Sequence, residues 1–158
     1  MAQRRAPSVR RAAIVAAARS WIGTPYHHQA SVRGVGVDCI GLVRGVWRDL
    51  YGVEPQRLPA YTADWAEADG DEALLRAARR HLIEIEMAVP RPGDMVVFRL
   101  RGDVAAKHAA IMTAPAVMVH AAAGAAVAEV HLAPWWRRRI AGTFAFPGVE
   151  DAAPDAPT

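Results

Sequence analysis

Three stretches in the first half of the chain repeat apolar residues with the 3.6-residue period of a helix. In the first, Ile14, Ala17, Ala18 and Trp21 fall at i, i+3, i+4 and i+7, with Ser8 placed to cap the start and Gly23 to end it. In the second, Asp38 stands at the cap position, and Cys39, Leu42, Val43, Val46 and Leu50 form one stripe up to Gly52. The third runs from about Asp71 to Leu82, with Leu74, Leu75, Ala78 and Leu82 on its buried face. The loop TPYHHQASVRGVGV joins the first two, and a loop rich in Pro and Tyr joins the second and third.

The pattern changes at PRPGD, residues 90–94, a turn signal. Beyond it, runs rich in Val, Phe, Ile and Met predict strands at about 94–99, 108–113, 117–121, 126–131 and 142–146. Helices followed by strands predict an α+β class, with N-terminal helices packed on a C-terminal antiparallel sheet. Residues 1–148 read as one domain, and residues 149–158 as an acidic, proline-containing, disordered tail. Arginines ahead of the apolar run from Ala12 to Ala18 mimic a secretory signal. That run is only seven residues long and Arg19 closes it, which favours the amphipathic helix. No segment approaches the eighteen or so apolar residues of a membrane span.

Composition narrows the picture. With 158 residues, 53% of them hydrophobic, the chain is long enough for one core. Its single cysteine, Cys39, excludes an intramolecular disulfide and any zinc site needing two thiolates. The net charge of +3 is uneven: residues 1–48 hold eight arginines against Asp38, while residues 149–158 hold three acids and no base. Such a basic surface suits nucleic acid, an anionic envelope or an acidic protein partner, and its sign alone does not choose.

Cys39 has two readings. It lies on an apolar stripe, as small buried cysteines do. It also falls in the first turn of a helix, where N–H groups and the positive end of the dipole favour thiolate. A cysteine nucleophile needs a base, and the base an orienting group. Of the six histidines, His81 sits at a helix end, His27 and His28 are adjacent in a loop, and His131 closes a predicted strand. His108 and His120 differ. A hairpin centred on Pro115 sets residue 110 opposite residue 120, making His108 and His120 diagonal neighbours on one face. A shift of one residue would separate them.

GTPY (23–26), VDCIGLV (37–43), RPGDMVVF (91–98), KHAAIM (107–112) and MVHA (118–121) stand in this order along the chain. In that order they resemble the NlpC-type cell-wall cysteine peptidases, over about Ser8 to Pro147. The resemblance implies a papain-like fold with Cys39 as nucleophile, His108 as general base and His120 as its orienting partner. Tyr26 matches a tyrosine whose hydroxyl lies close to the active site and Asp38 matches the acid before the nucleophile, both implied as substrate-binding or oxyanion residues. The implied substrates are peptidoglycan stem peptides, commonly cut between D-glutamate and diaminopimelate, with no metal or organic cofactor.

Ile40 stands where many members have Ser, and His27, His28 and Gln29 replace an aromatic residue and paired glycines. GTPYHHQ and DCIGLVRGVW look most like the branch carried on tails of phages and gene transfer agents. That branch implies tail-hub or baseplate partners, assembly in the cytoplasm and action from the particle at the target cell wall. A catalytically inactive tail-hub protein and an amidase of the same fold are the alternatives.

Two further segments carry weaker signals. GVGVD (34–38) lacks the third glycine and the preceding strand of a dinucleotide fingerprint, so it reads as a flexible loop. The segment from Trp135 to Arg139, WWRRR, mixes aromatic and basic groups that could bind glycan or nucleic acid, or dock and pack. No sequence-specific nucleic-acid binding is expected.

Overall fold

A computed structural model describes residues 8–55, 72–86 and 89–150. The two-residue strand β1 (Val9–Arg10) leads into helix α1 (Arg11–Arg19), which buries Ile14 and Ala18. Ser8 is not its cap. Arg10 holds that position without a side-chain bond, because Ser8 precedes β1, which pairs in parallel with β10 (Val149–Glu150). Val149 and Glu150 are therefore strand rather than tail, and residues 151–158 lie outside the described residues.

The glycine-rich segment is a hairpin and not a flexible loop. Strand β2 (Ser31–Val32) pairs antiparallel with β3 (Gly36–Val37). A Cβ on Gly36 would lie 2.7 Å from that of His27, so close approach explains the glycine. Helix α2 (Cys39–Tyr51) follows and buries Ile40, Leu42 and Val46. Ile40 thus belongs to the core. Helix α3 (Ala73–His81) buries Leu74, Leu75 and Ala78, two residues later in its start than the pattern suggests, and Asp71 lies outside the described residues.

All five expected strands are present: β5 (Met95–Phe98), β6 (His108–Ala114), β7 (Val117–His120), β8 (Ala128–His131) and β9 (Ile140–Ala145). With the short β4 (Ile83–Glu84) they form a six-stranded antiparallel sheet in the order β4-β9-β5-β6-β7-β8. Strands β5 and β6 are buried on both faces, so their residues do not alternate in polarity. One face packs Met95, Val97, Ala109, Ile111 and Val119 against α1, α2 and α3. The other packs Val96, Phe98, Ala110, Met112 and Met118 against Leu132, Trp136 and Ile140. A short helix α4 (Pro134–Arg137) carries Trp136 there.

The PRPGD turn is anchored from α1. Asp94 is fully buried; its Oδ1 accepts from Arg11 at 2.7 Å and its Oδ2 from the Arg91 N–H at 2.8 Å. This fixes the first helix to the start of β5. Among the described residues, no helix is long and apolar enough to cross a membrane.

Candidate active site

The GTPY segment is pinned from both sides. Thr24, 2% exposed, accepts the Gly34 N–H on Oγ1 at 3.0 Å, and its carbonyl accepts from Val127 at 2.9 Å. Val37 donates to the Pro25 carbonyl and His27 to the Val37 carbonyl, both at 3.0 Å, so Tyr26 lies in a parallel bridge with Val37. Two motifs remote in type thereby meet at the entrance to α2.

Asp38 is 2% exposed and both of its oxygens are engaged. Oδ1 accepts the Gly41 N–H and Oδ2 the Gln29 N–H, each at 2.7 Å, while His28 Nδ1 lies 3.8 Å from Oδ2. The carboxylate caps the helix and fastens the preceding loop to it. With both oxygens accepting backbone N–H groups, Asp38 braces the entrance to the site.

Cys39 is partly buried, with Sγ 3.5 Å from the Lys107 carbonyl, to which the thiol donates. Backbone N–H groups of Ala109, Ile40 and Cys39 itself also favour its thiolate. The sulfur therefore rests against the backbone on either side of His108. The helix start acts in the expected direction but does not prevail. Burial, and then the Asp38 charge, push the thiol up to about 12. The same causes raise Tyr26: burial first, then the charges of Asp38 and Cys39. Its hydroxyl consequently stays protonated and able to donate at neutral pH.

The β6–β7 hairpin keeps the register expected from Pro115. Ile111 faces Val119 and Met112 faces Met118, although a bulge separates Met112 from the Ala114–Val117 closing pair. His108 and His120 meet across it, Nε2 to Nδ1 at 2.9 Å. With Nε2 bound there, Nδ1 is the ring nitrogen of His108 that His120 does not occupy. A proton arriving at Nδ1 leaves Nε2–H donating to His120, whose own proton then resides on Nε2. Burial, and then the neighbouring His120, hold His108 down at about 3; burial also lowers His120. The resting site is therefore a neutral thiol beside neutral imidazoles.

Trp136 is the member that the sequence did not reveal. Its ring stacks on His108 at 5.5 Å and meets His120 edge-on at 5.3 Å, with Phe98 4.9 Å behind it. An aromatic-basic run gave no sign of a partner twenty-eight residues upstream, because the contact depends on how α4 folds back over the sheet. His27, His81 and His131 stay apart from this cluster: His27 is in the exposed loop, His81 ends α3 and His131 faces Val117. Among the described residues, no group of three or more potential metal ligands assembles.

The buried histidines give a pH dependence of stability. An unfolded His108 gains its proton near 6.5, the folded one only near 3, so between those values the unfolded chain binds more protons. Stability should fall as pH drops through this window, by up to about 1.4 kcal/mol per pH unit for His108, with His120 adding in the same direction. Glu54, Glu72 and Glu129 are held below 4.5, so their contributions fade only lower down. Denaturant unfolding between pH 6.5 and 5 should thus show about 1.6 kcal/mol lost to His108. A slope unchanged in His108→Gln would refute this assignment.

The model of the NlpC/P60 family matches residues 23–144. An NlpC/P60 family protein from Bacillus cereus ATCC 10987 superposes with a TM-score of 0.64 at 18% identity, over 89% of this chain and 41% of that one. The NlpC/p60 domain of the peptidoglycan hydrolase SagA gives 0.61 at 22%, over 87% of this chain and all of that domain. NlpC1 from Trichomonas vaginalis gives 0.58 at 19%, over 85% and 42%. The chain spans about two fifths of the length of the Bacillus and Trichomonas proteins. Comparison with curated proteins finds no match. The chain belongs to the NlpC/P60 family of cell-wall cysteine peptidases, on the α+β, papain-like fold expected from its sequence.

Proposed function

We propose that this chain is a peptidoglycan-degrading cysteine endopeptidase that cuts stem peptides between D-glutamate and diaminopimelate, acting from a phage-like or gene-transfer-agent tail tip. The observation that carries the chemistry is Cys39 Sγ against the backbone flanking His108, whose Nε2 is bonded to His120 at 2.9 Å. As substrate binds, the thiol proton passes to His108 Nδ1 and the sulfur attacks the amide carbonyl. The N–H groups of Cys39 and Ile40, left over once Asp38 takes that of Gly41, and the Tyr26 hydroxyl receive the oxyanion. Collapse breaks the C–N bond, the amine leaves with the proton from His108, and an acyl-thioester remains. Water, deprotonated by the same imidazole, then releases the carboxylate product and restores the thiol. His120 accepts from Nε2–H throughout and keeps the tautomer. No step calls for a metal or cofactor.

Carriage on a tail particle is supported by the likeness of GTPYHHQ and DCIGLVRGVW to that branch. Tail-hub or baseplate proteins would then be its partners, and the target cell wall its place of action. Incubating purified protein with sacculi, followed by mass analysis of the soluble products, tests the reaction. Fragments with a new diaminopimelate amine support the proposal; stem peptides freed at the muramoyl link would make it an amidase, and no release would make it an inactive structural protein. Immunodetection in purified particles tests the carriage, and its absence there would remove that part.

A further inference from the structure

The aromatic-basic run at 135–139 is tied into the fold at both ends. Ahead of it, Leu132 donates its N–H to the Ala116 carbonyl in the β6–β7 turn at 2.7 Å, and its own carbonyl accepts from Arg137 Nε at 3.2 Å. At its far end the Arg139 carbonyl accepts the Arg99 N–H at 2.8 Å, while the Arg139 guanidinium donates to the Leu100 and Trp135 carbonyls at 3.3 and 2.8 Å. Two of the three arginines therefore bind carbonyls of their own chain. Through Leu132, helix α4 is anchored to the same hairpin that joins His108 and His120. It fully buries none of its four residues, yet it turns Trp136 inward, onto the second core cluster and both histidines.

Trp136, His120 and Phe98 stand about His108 with ring centroids 5.5, 5.2 and 6.0 Å away. Of the three, only His120 can accept a hydrogen bond from a protonated imidazole, since an indole N–H donates and a phenyl ring does neither. The other charged and titratable groups nearby are engaged elsewhere. On α2, Cys39 is a neutral thiol, and the Asp38 carboxylate behind it holds the Gly41 and Gln29 N–H groups. Tyr26 beside them stays protonated. Lys107 adjoins His108 in sequence and turns its carbonyl to Cys39, and Arg137 on α4 is turned to Leu132. Strand β5 brings Phe98 opposite His108, and Arg99 beyond it pairs with Glu72. The indole face attracts a cation within about 6 Å, but modestly. Loss of water acts the other way and prevails, because burial is the leading reason that His108 is held down at about 3. We infer that Trp136 is a positioning residue for the reaction at Cys39: its indole holds the two imidazoles in their bonded geometry and closes His108 to water. The base then meets the thiol unprotonated in mildly acid as well as neutral surroundings. This rests on the proposed reaction, in which His108 takes the thiol proton.

The test reads His108 directly, by NMR titration of the full chain with isotope-labelled histidine rings, the signal being assigned with His108→Gln. It reads the work of His108 separately, as kcat/KM on a soluble stem peptide from about pH 5 to 8. In the wild type the His108 signal should stay that of the neutral ring over this range, and the rate should change by less than about twofold between pH 7 and 5. Trp136→Ala admits water to the ring and should bring its titration to about pH 6, with kcat/KM falling about tenfold from pH 7 to 5. Trp136→Gln keeps more bulk at the site and should move both readouts the same way, so the test stands even where the alanine variant fails to fold. A His108 that stays neutral down to pH 5 in the folded variants, or one that already titrates near 6 in the wild type, would overturn the inference. So would a moved titration with an unchanged rate profile, because His108 would then not be the base. The titration needs no turnover, so a protein that releases nothing from sacculi would defeat the proposed function while the shielding of His108 is still decided.

Discussion

His108→Ala should slow peptide release at pH 7 by about a thousandfold or more, while Cys39→Ala should abolish it at every pH. The reason lies in the resting thiol, which burial and the Asp38 charge hold at about 12. At pH 7 roughly one such thiol in 100,000 is ionised without help. The base must therefore take the proton as the attack occurs, and general-base assistance of that kind contributes about a hundred- to ten-thousandfold. Without it, residual activity depends on the free thiolate and should rise about tenfold per pH unit between 7 and 9, a dependence absent from the wild type once His108 is neutral. His120→Ala should be milder, about ten- to a hundredfold, because it removes the acceptor that fixes the tautomer and not the base. Initial rates on a soluble stem peptide across this pH range decide the matter. A His108→Ala enzyme retaining a tenth of wild-type activity at pH 7 would exclude His108 as the base.

Much of this site was legible because its parts lie on long, strongly patterned elements. The Cys39–Leu50 stripe set Cys39 in the first turn of α2 behind its Asp38 cap, and both are found there. Pro115 between two apolar runs fixed the hairpin register well enough to join His108 and His120. The paired strands β1 with β10 and β2 with β3 were missed, since two residues carry no period. Ser8 misled because a good cap residue stood near, while the chain there was committed to pairing with Val149. The thiol shift was misjudged for a different reason. The helix start is visible in sequence, but burial and the Asp38 charge beside the sulfur appear only when the chain folds. Backbone contacts from Lys107 and Ala109, and the Trp136 ring on His108, are likewise long-range.

Gly41→Ala should cost about 3 kcal/mol, near the upper end of what overpacking does, and lower the melting temperature by roughly 10 °C. Gly41 is the third residue of α2, where its N–H donates to Asp38 Oδ1 and its carbonyl accepts from Ser31 Oγ at 2.6 Å. A Cβ there would stand 2.0 Å from the Ala30 carbonyl oxygen and 3.0 Å from Asp38 Oδ1. Neither obstacle is the tip of a flexible side chain. Ala30 is fixed by accepting from Asp38 at 3.3 Å and by donating to His27 at 3.1 Å, so the whole loop from His27 to Ser31 must shift. That loop supplies the Gln29 N–H to Asp38, which in turn braces the turn holding Cys39. Stability and turnover should consequently fall together, and activity should be depressed even at temperatures where the variant remains folded. Gly102→Ala, with nothing within 4 Å of its Cβ, supplies the control and should change neither. Thermal unfolding followed by circular dichroism, paired with initial rates at 20 °C, separates the outcomes. An unchanged melting temperature for Gly41→Ala would mean that the loop yields freely, and the brace assigned to Asp38 would then carry little of the site's geometry.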